Sequence, residues 1–281
     1  MIRITQNEMK LIAKYVASLS GICLDQRKAY LVESRCAPLL EELGCSSYTE
    51  FYNKIRSADS SFLNIKLIDA ITTKETLFFR DTAPFELLKH KIIPDLIDKK
   101  SVANPSGPIP IRIWSAACST GQEVYSIAII LKELVSDLKP YSIRLLGTDI
   151  SDAAVTQASY GYYNSTQVAR GICEAKLRKY FEPDGRGWRI KDEIRGMATF
   201  RRQNLMGPFV DIGRFDIILC RNVAIYLAPE DRCTLFDKMA DVLAAGGYLI
   251  IGASESLPSV KSKFELRNYL RTVFYQLKRQ N

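Results

Sequence analysis

Short apolar runs alternate with helical patterns through the second half of this chain, and no other feature constrains its fold as much. The four runs lie at residues 111–115, 143–146, 215–220 and 248–251. Strands that alternate with helices in this way form βαβ units, whose parallel sheet is covered by helices on both faces. Two further strand-like runs, at 264–270 and 272–277, could close that sheet as an antiparallel edge. We therefore expect an α/β fold.

The first 72 residues carry helical patterns only. Thr5 and Glu8 have the spacing of a capping box, and Gly21 is a natural stop for the helix that follows. Further helices are predicted at 26–43, from a second capping box at Ser47 and Glu50, at 62–71 and at 84–97, the last followed by a loop at 101–110. With 281 residues, 47% of them apolar, the chain exceeds the common domain size. We expect a helical domain at 1–72 and a larger α/β domain at 73–281.

The composition argues against several kinds of site. The seven cysteines are scattered and contain no Cys-x-x-Cys pair, which disfavours a disulfide framework and a zinc site. The single histidine, His90, lies in a charged stretch, so neither a Ser-His-Asp triad nor a histidine-based metal site is expected. No stretch approaches the roughly 20 apolar residues that cross a bilayer, and the start lacks the apolar part of a signal peptide. We expect a soluble cytoplasmic protein with no metal and no membrane insertion.

Positive charge is concentrated in one segment. The formal net charge is +8, and residues 186–202 hold six Lys or Arg residues and two acidic ones, a local excess of four positive charges. Such a segment suits an anionic partner, either nucleic acid or an acidic protein surface. It is equally consistent with an ordinary solvated hairpin.

Small and polar residues follow the ends of three predicted strands. Residues 115–121 are a string of small residues with one glycine, Gly121, and they lack the Gly-x-Gly-x-x-Gly fingerprint of dinucleotide sites. The second strand ends at Asp149, whose carboxylate could accept both ribose hydroxyls of an adenosyl group. Asn222 and Tyr226 follow the third run, so we expect all of them around one crevice at the carboxyl edge of the sheet. Alternatively, the loop is a tight turn without a ligand, and Asp149 caps the next helix.

Six short motifs lie between residues 76 and 257, and the resemblance they carry covers nearly the whole chain, including the helical N-terminal region. They are Thr-Leu-Phe-Phe-Arg at 76–80, Ser-Thr-Gly-Gln-Glu at 119–123, Gly-Thr-Asp-Ile at 147–150, Asn-Leu at 204–205, Cys-Arg-Asn-Val at 220–223 and Ser-Glu-Ser-Leu at 254–257. In this order and spacing they resemble the CheR family of bacterial chemotaxis receptor methyltransferases. The resemblance implies a Rossmann-like class I methyltransferase sheet and S-adenosylmethionine as the cofactor. It also implies a small antiparallel β subdomain, inserted at 182–203, that engages the receptor.

The resemblance assigns roles to individual residues. The implied S-adenosylmethionine pocket consists of Thr76, Arg80, Glu123, Asp149, Asn204, Leu205, Asn222 and Val223. Lys74 joins this pocket at a position where asparagine is usual in the family, and its ammonium could pair with the cofactor's carboxylate or oppose its sulfonium. The other departures from the family pattern are Gln122, Val124 and Ala253, which replace the usual Glu, Pro and His.

The implied reaction is methyl transfer to glutamate side chains on the cytoplasmic helices of chemotaxis receptors. Glutamate, with a pKa of about 4.3, is ionised at neutral pH, so the transfer needs no strong general base. Catalysis then consists of placing the acceptor oxygen in line with the sulfonium methyl. We assign this positioning to Arg80, near the acceptor carboxylate, and to Tyr226, as a hydrogen-bond donor. Arg27, Lys28 and Arg35 could dock an acidic helical substrate, or could form only a solvated polar face.

Two other functions stay open at this point. A nucleic-acid methyltransferase would suit the positive net charge, but the chain has no Asn-Pro-Pro-Tyr motif and its basic segment lacks interleaved aromatic residues. A non-catalytic module that binds S-adenosylmethionine but has lost the transfer would suit the change at Lys74. The presence of Arg80, Glu123 and Asp149 argues against such a module.

Overall fold

The computed structural model describes residues 2–57, 61–105, 107–135, 137–257, 263–270 and 272–278. Its α-helices are α1 Gln6–Ser20, α2 Ala29–Glu42, α3 Tyr48–Ile55, α4 Ser61–Ile71, α5 Thr82–Leu87, α6 Ile93–Ala103, α7 Gln122–Leu134, α8 Asp152–Tyr160, α9 Ser165–Ala169, α10 Glu174–Tyr180, α11 Asp192–Arg195 and α12 Pro229–Val242. Its strands are β1 Ile109–Ala116, β2 Tyr141–Asp149, β3 Tyr162–Asn164, β4 Phe181–Asp184, β5 Gly187–Ile190, β6 Ala198–Arg202, β7 Phe215–Cys220, β8 Leu243–Ile251, β9 Phe264–Tyr269 and β10 Thr272–Leu277. None of the helices in these ranges has the length and apolar content needed to cross a membrane.

Helices α1 to α4 form the predicted helical region. At α1, Thr5 accepts the N–H of Glu8 and the Glu8 carboxylate accepts the N–H of Thr5, so the predicted capping box is confirmed. At α3, Ser47 accepts the N–H of Glu50, but the Glu50 carboxylate accepts the N–H of Ser46 instead of Ser47. The second predicted capping box is therefore incomplete. The apolar faces of these helices share a core that includes Ile12, Val32, Phe51 and Leu67.

The connection from α1 to α2 differs from the expected one. Gly21 ends α1 with a φ of 75°, as predicted. The predicted helix at 26–43 starts late, because Gln26–Lys28 is a 3₁₀ turn and α2 begins at Ala29. The Asp25 carboxylate accepts the N–H of Arg27 and caps that turn.

Seven strands form one sheet in the order β6-β2-β1-β7-β8-β10-β9. Neighbours from β6 to β8 run parallel, whereas β10 is antiparallel to β8 and to β9. The predicted parallel sheet with an antiparallel edge is confirmed. The chain builds outward from β1 through β2 and β6, and then returns to the other side of β1 for β7 and β8. The order therefore reverses between β1 and β7, and such a reversal opens a crevice at the carboxyl ends of the strands.

A second, small sheet is present, but the range predicted for the inserted subdomain is wrong. Its three strands are antiparallel in the order β3-β5-β4 and lie between residues 162 and 190. Strands β4 and β5 overlap the predicted range 182–203, but β3 precedes it. Strand β6 instead pairs in parallel with β2 as one edge of the main sheet. Arg201 and Arg202 hid this strand, because an edge strand commonly carries charges that discourage further pairing.

The helix predicted at 84–97 is longer than expected. It starts as α5 at Thr82, continues through a π-helical segment, Leu88–Ile92, and ends with α6 at Ala103. The loop predicted at 101–110 is correspondingly shorter. Pro94 has no N–H to donate, and a π-helical turn just before it accommodates the missing hydrogen bond.

The helical region contacts the sheet at the carboxyl ends of its strands. The N–H of Cys23 donates to the carbonyl of Tyr226 at 2.8 Å. On the other side of the crevice, Asn204 Nδ2 donates to the carbonyl of Leu19 at 2.8 Å. These bonds hold the helical region over the crevice.

Candidate functional site

A cavity of about 240 Å³ lies where the crevice meets the helical region. Its wall combines the loops that follow β1, β2 and β7 with segments from 20–35 and 71–80. Eleven of the thirteen predicted site residues line it: Lys28, Arg35, Thr76, Arg80, Glu123, Asp149, Asn204, Leu205, Asn222, Val223 and Tyr226. Arg27 and Lys74 are not among the lining residues. The structure therefore brings residues from both predicted domains to one cavity.

The loop between β1 and α7 contributes Ala117, Cys118 and Ser119 to the cavity wall. Ala117 and Ser119 have φ values of 58° and 51°, and Gly121 has a φ of 92°. Left-handed conformations at non-glycine residues cost about 1–3 kcal/mol each and persist only where the surrounding structure enforces them. A Cβ at Gly121 would lie 2.9 Å from the Cβ of Ala158. Both conformation and space therefore require glycine there.

Asp149 lies at the end of β2 on the cavity wall, and its carboxylate accepts the N–H of Ser119 at 2.8 Å and that of Ser151 at 2.9 Å. Burial raises the pKa of Asp149 above its ordinary value, and these bonds and the charge of Lys74 offset part of the rise. Ser151, not Asp149, supplies the N-cap of α8. A carboxylate offers about four lone-pair sites, so Asp149 keeps acceptor capacity beside its backbone bonds from Ser119, Ile150 and Ser151. These acceptor atoms fit the two hydroxyl groups of the ribose in an adenosyl group.

Glu123, in the first turn of α7, pairs with a buried arginine that the sequence analysis did not assign to the site. Arg221 follows β7, its side chain is 2% exposed, and its Nη1 donates to Glu123 Oε2 at 2.8 Å. Its Nη2 donates to the carbonyl of Arg80 at 2.8 Å and to Asp81 Oδ2 at 2.9 Å. A charge buried this deeply requires partners of this kind. The signal in the sequence was a charged residue directly after the apolar run 217–220.

The loop that carries Arg80 has an unusual conformation. Its neighbours Phe79 and Asp81 have φ values of 51° and 55°. The Arg80 guanidinium donates to the carbonyl of Glu75 at 3.0 Å. Arg80 is thus fixed at the cavity wall by its own loop and by the bond from Arg221 to its carbonyl.

Asn204 connects the site to the helical region. Its Nδ2 donates to the carbonyl of Leu19, and its Oδ1 accepts the N–H of Met206 at 2.9 Å. Both ends of the amide are engaged within the protein. One N–H and one oxygen lone pair remain for a ligand.

The three cations predicted to bind substrate are not equivalent. Lys28 and Arg35 line the cavity, and the Arg35 guanidinium donates to the carbonyl of Ile71. Arg27 is exposed, forms an ion pair with Asp25 at 2.5 Å and does not line the cavity. The structure therefore separates Arg27 from the other two.

Three of the six basic residues in the segment 186–202 form ion pairs with nearby acids. The ion pairs are Arg189 with Glu182 at 3.4 Å and with Asp184 at 3.6 Å, Arg195 with Asp192 at 2.8 Å, and Arg202 with Asp152 at 3.7 Å. The segment therefore presents less unbalanced positive charge than its composition suggests, which weakens the case for a nucleic-acid surface.

The chemistry of the site does not depend on histidine. His90 is 51% exposed, lies outside the cavity wall and pairs with Glu86 at 3.0 Å. Within the described ranges, no group of three or more His, Cys, Asp or Glu side chains could hold a metal ion.

The strand order, with a cavity at the reversal point and a buried acid at the end of β2, is that of the Rossmann-like fold of class I methyltransferases. Residues 74–273 match the family described as "CheR methyltransferase, SAM binding domain", and residues 7–72 match "CheR methyltransferase, all-alpha domain". The chain belongs to the CheR methyltransferase family, as its motifs predicted.

Relatives are similar over nearly the whole chain. The "Chemotaxis protein methyltransferase" of Vibrio parahaemolyticus is 38% identical over 99% of both chains. The "Chemotaxis protein methyltransferase Cher2" of Pseudomonas putida is 38% identical over 94% of this chain and 95% of its own. The "Chemotaxis protein methyltransferase" of Borreliella burgdorferi is 34% identical over 93% of this chain and 92% of its own.

Proposed function

We propose that this chain transfers the methyl group of S-adenosylmethionine to glutamate carboxylates of chemotaxis receptors, giving glutamate methyl esters. Its relatives are named chemotaxis protein methyltransferases, and its larger domain matches a methyltransferase domain that binds S-adenosylmethionine. The observation that carries the proposal is one cavity that joins the buried acid Asp149 to the cations Arg80 and Lys28. The acid suits the cofactor, and the cations suit an anionic acceptor. We place the enzyme in the cytoplasm, acting on the cytoplasmic helices of the receptors.

The cofactor would be held at the carboxyl ends of β1, β2 and β7. S-adenosylmethionine supplies an electrophilic methyl group on a sulfonium when it is bound. Asp149 would accept the ribose hydroxyls. The residues that would line the rest of the pocket are Thr76, Glu123, Asn204, Leu205, Asn222 and Val223. Lys74, outside the wall, would act through its charge, which lowers the pKa of Asp149.

The acceptor would be positioned by Arg80 and Tyr226, which line the same cavity. An ionised glutamate needs no proton removed before it attacks, so the lack of a histidine in the wall is no obstacle. Correct orientation of two reactants contributes about 7–11 kcal/mol to lowering a barrier. The guanidinium of Arg80 would hold the acceptor carboxylate out of water, and the phenol of Tyr226 would donate a hydrogen bond nearby.

Lys28 and Arg35 would attract acidic segments of a receptor helix to the cavity mouth. The Arg35 guanidinium is already fixed in place. We expect the Lys28→Ala variant to raise KM for the receptor with little change in kcat, and added salt to reduce the difference. Lys10→Ala is the matched control, because Lys10 is an exposed lysine on α1 that does not line the cavity. Equal KM values for the two variants would contradict the docking role.

The direct test is incubation with methyl-labelled S-adenosylmethionine and a panel of receptor cytoplasmic fragments. The expected result is label on the fragments that alkali releases as methanol, which distinguishes an ester from an N-methyl product. Arg80→Ala and Tyr226→Phe should lose most of this labelling, whereas Tyr160→Phe, which alters an exposed tyrosine of α8, should not. No labelling by the wild type, or alkali-stable label only, would refute the proposal.

A further inference from the structure

One carboxylate outside the cavity wall gathers four backbone donors. Glu255 Oε2 accepts the N–H groups of Asn222 at 2.8 Å and Gly252 at 2.7 Å. Its Oε1 accepts those of Val223 at 3.1 Å and Ile225 at 3.2 Å. Hydrogen bonds to an ionised acceptor are roughly twice as strong as those between neutral groups. Three of the four donors belong to the loop that follows β7.

The local sequence brings this carboxylate close to the loop. A Cβ at Gly252 would lie 2.6 Å from Glu255 Oε2 and 3.0 Å from the backbone nitrogen of Asn222. Glycine at 252 is therefore the condition for the close approach. Asn222 itself has a φ of 59°, a left-handed conformation that persists only when neighbouring groups enforce it.

The same loop carries the residues that face the cavity. Asn222, Val223 and Tyr226 line it, whereas Glu255 does not. On the opposite side, the carbonyl of Tyr226 accepts the N–H of Cys23 from the helical region. Glu255 and the helical region therefore both hold this loop through hydrogen bonds to its backbone.

We propose that Glu255 is a positioning residue for methyl transfer. It acts through the loop after β7 by fixing Asn222 in its left-handed conformation and Tyr226 at the cavity wall. The inference rests on the proposed function of the cavity. It adds to that function a residue that touches neither reactant.

The test compares Glu255→Gln with Glu265→Gln in the full chain. Glutamine keeps one acceptor oxygen but turns an NH₂ group toward two backbone N–H donors. Glu265 is the matched control, because it lies on β9 in an exposed ion pair with Arg267. Glu255→Asp is the second variant, since it keeps the charge but is one methylene too short to reach all four donors.

Two quantities separate positioning from mere stability. Calorimetric titration with S-adenosylhomocysteine gives the dissociation constant per folded site, and its stoichiometry gives the folded fraction. We expect Glu255→Gln to weaken binding about tenfold at unchanged stoichiometry and to lower kcat for receptor labelling about 100-fold, because misplacement of about 1 Å has effects of this size. Glu255→Asp should show a smaller loss of both, and Glu265→Gln should match the wild type.

The outcomes are distinguishable. Wild-type protein that binds no S-adenosylhomocysteine would refute the cavity's proposed function, and the inference with it. Wild-type binding together with unchanged Kd and kcat in Glu255→Gln would overturn the inference alone. A lowered stoichiometry with unchanged Kd and unchanged kcat per folded site would also overturn it. If Glu255→Gln does not fold, the same readouts on Glu255→Asp decide.

Discussion

Two buried aspartates lie at opposite ends of the same parallel sheet. Asp216, at the amino end of β7, is 6% exposed and pairs with Lys100 Nζ at 2.6 Å, and it accepts the N–H of Arg112 at 2.9 Å. Asp149, at the carboxyl end of β2, is 9% exposed and is held by two backbone N–H groups. The first acid is neutralised by a direct ion pair. The second keeps acceptor capacity beside a cavity, and its pKa is raised by burial.

The backbone shows the same asymmetry. Of the seven non-glycine residues with left-handed φ in the described ranges, five lie in the loops that surround the carboxyl end: Phe79, Asp81, Ala117, Ser119 and Asn222. Strain of this kind is concentrated where function, not stability, determines the structure. The amino end of the sheet therefore serves stability, and the carboxyl end gives up some stability to shape a site.

The largest expected effect is on cofactor affinity. Asp149→Asn should weaken S-adenosylhomocysteine binding about 100-fold, because a charged acceptor of two hydroxyls contributes about 2–3 kcal/mol. The Tm of this variant should change little. Its backbone hydrogen bonds are weaker, but it no longer carries a charge that burial disfavours, and the two effects on stability offset each other. Titration calorimetry and thermal unfolding measure the two quantities. Unchanged affinity would mean that the two ends of the sheet do not differ as described.

Asp216→Asn should show the reverse pattern. Breaking the pair with Lys100 should lower the free energy of unfolding by about 2–3 kcal/mol. This loss is smaller than for a fully buried ion pair, because Lys100 is partly exposed. Urea unfolding monitored by circular dichroism measures this loss. The affinity for S-adenosylhomocysteine should stay at the wild-type value, and a parallel loss of affinity would contradict the separation of the two ends.

Two arginines at opposite ends of the sheet should also differ in their effect on turnover. Arg221→Lys should lower kcat about tenfold, because one ammonium cannot bridge Glu123, Asp81 and the Arg80 carbonyl. Arg112→Lys, at the amino end, should leave kcat unchanged, since its guanidinium does not line the cavity and interacts with the carbonyl of Ile212 and the ring of Phe215. Steady-state receptor methylation at saturating S-adenosylmethionine measures both. Equal kcat values in the two variants would contradict the proposal that Arg221 connects Glu123, on the cofactor side, to Arg80, on the acceptor side.

The smallest effect is a dependence on pH. The raised pKa of Asp149 means that its carboxylate is protonated at a higher pH than an ordinary aspartate. As pH falls through that pKa, an acceptor is lost and the affinity for S-adenosylhomocysteine should fall, by at most about tenfold per pH unit. The contribution of Asp149 to folding stability should change in the opposite direction, because protonation relieves a buried charge. Asp149→Asn should bind with a flatter pH profile, and an equally steep profile would assign the titration to another group.

The sequence predicted the parts of the molecule that follow local rules. The capping box of Thr5 and Glu8, the stop at Gly21 and the apolar strands of the parallel sheet were all correct. The strand β6 was missed because its exposed, charged residues are typical both of an edge strand and of a solvated hairpin, so the sequence did not distinguish the two. Arg221 and Glu255 escaped assignment for a different reason. Most of their partners are distant in sequence, so their roles arise only when the loops of β1, β7 and β8 meet.

We propose that the crevice at the carboxyl ends of β1, β2 and β7 holds an adenosyl group. A crystal structure with S-adenosylhomocysteine tests it most directly. We predict the ligand in the described cavity, with its ribose hydroxyls within hydrogen-bonding distance of the Asp149 carboxylate and with Asn222 still in the left-handed conformation. An empty cavity in such crystals, or a ligand bound elsewhere with Asp149 turned away from it, would contradict the account.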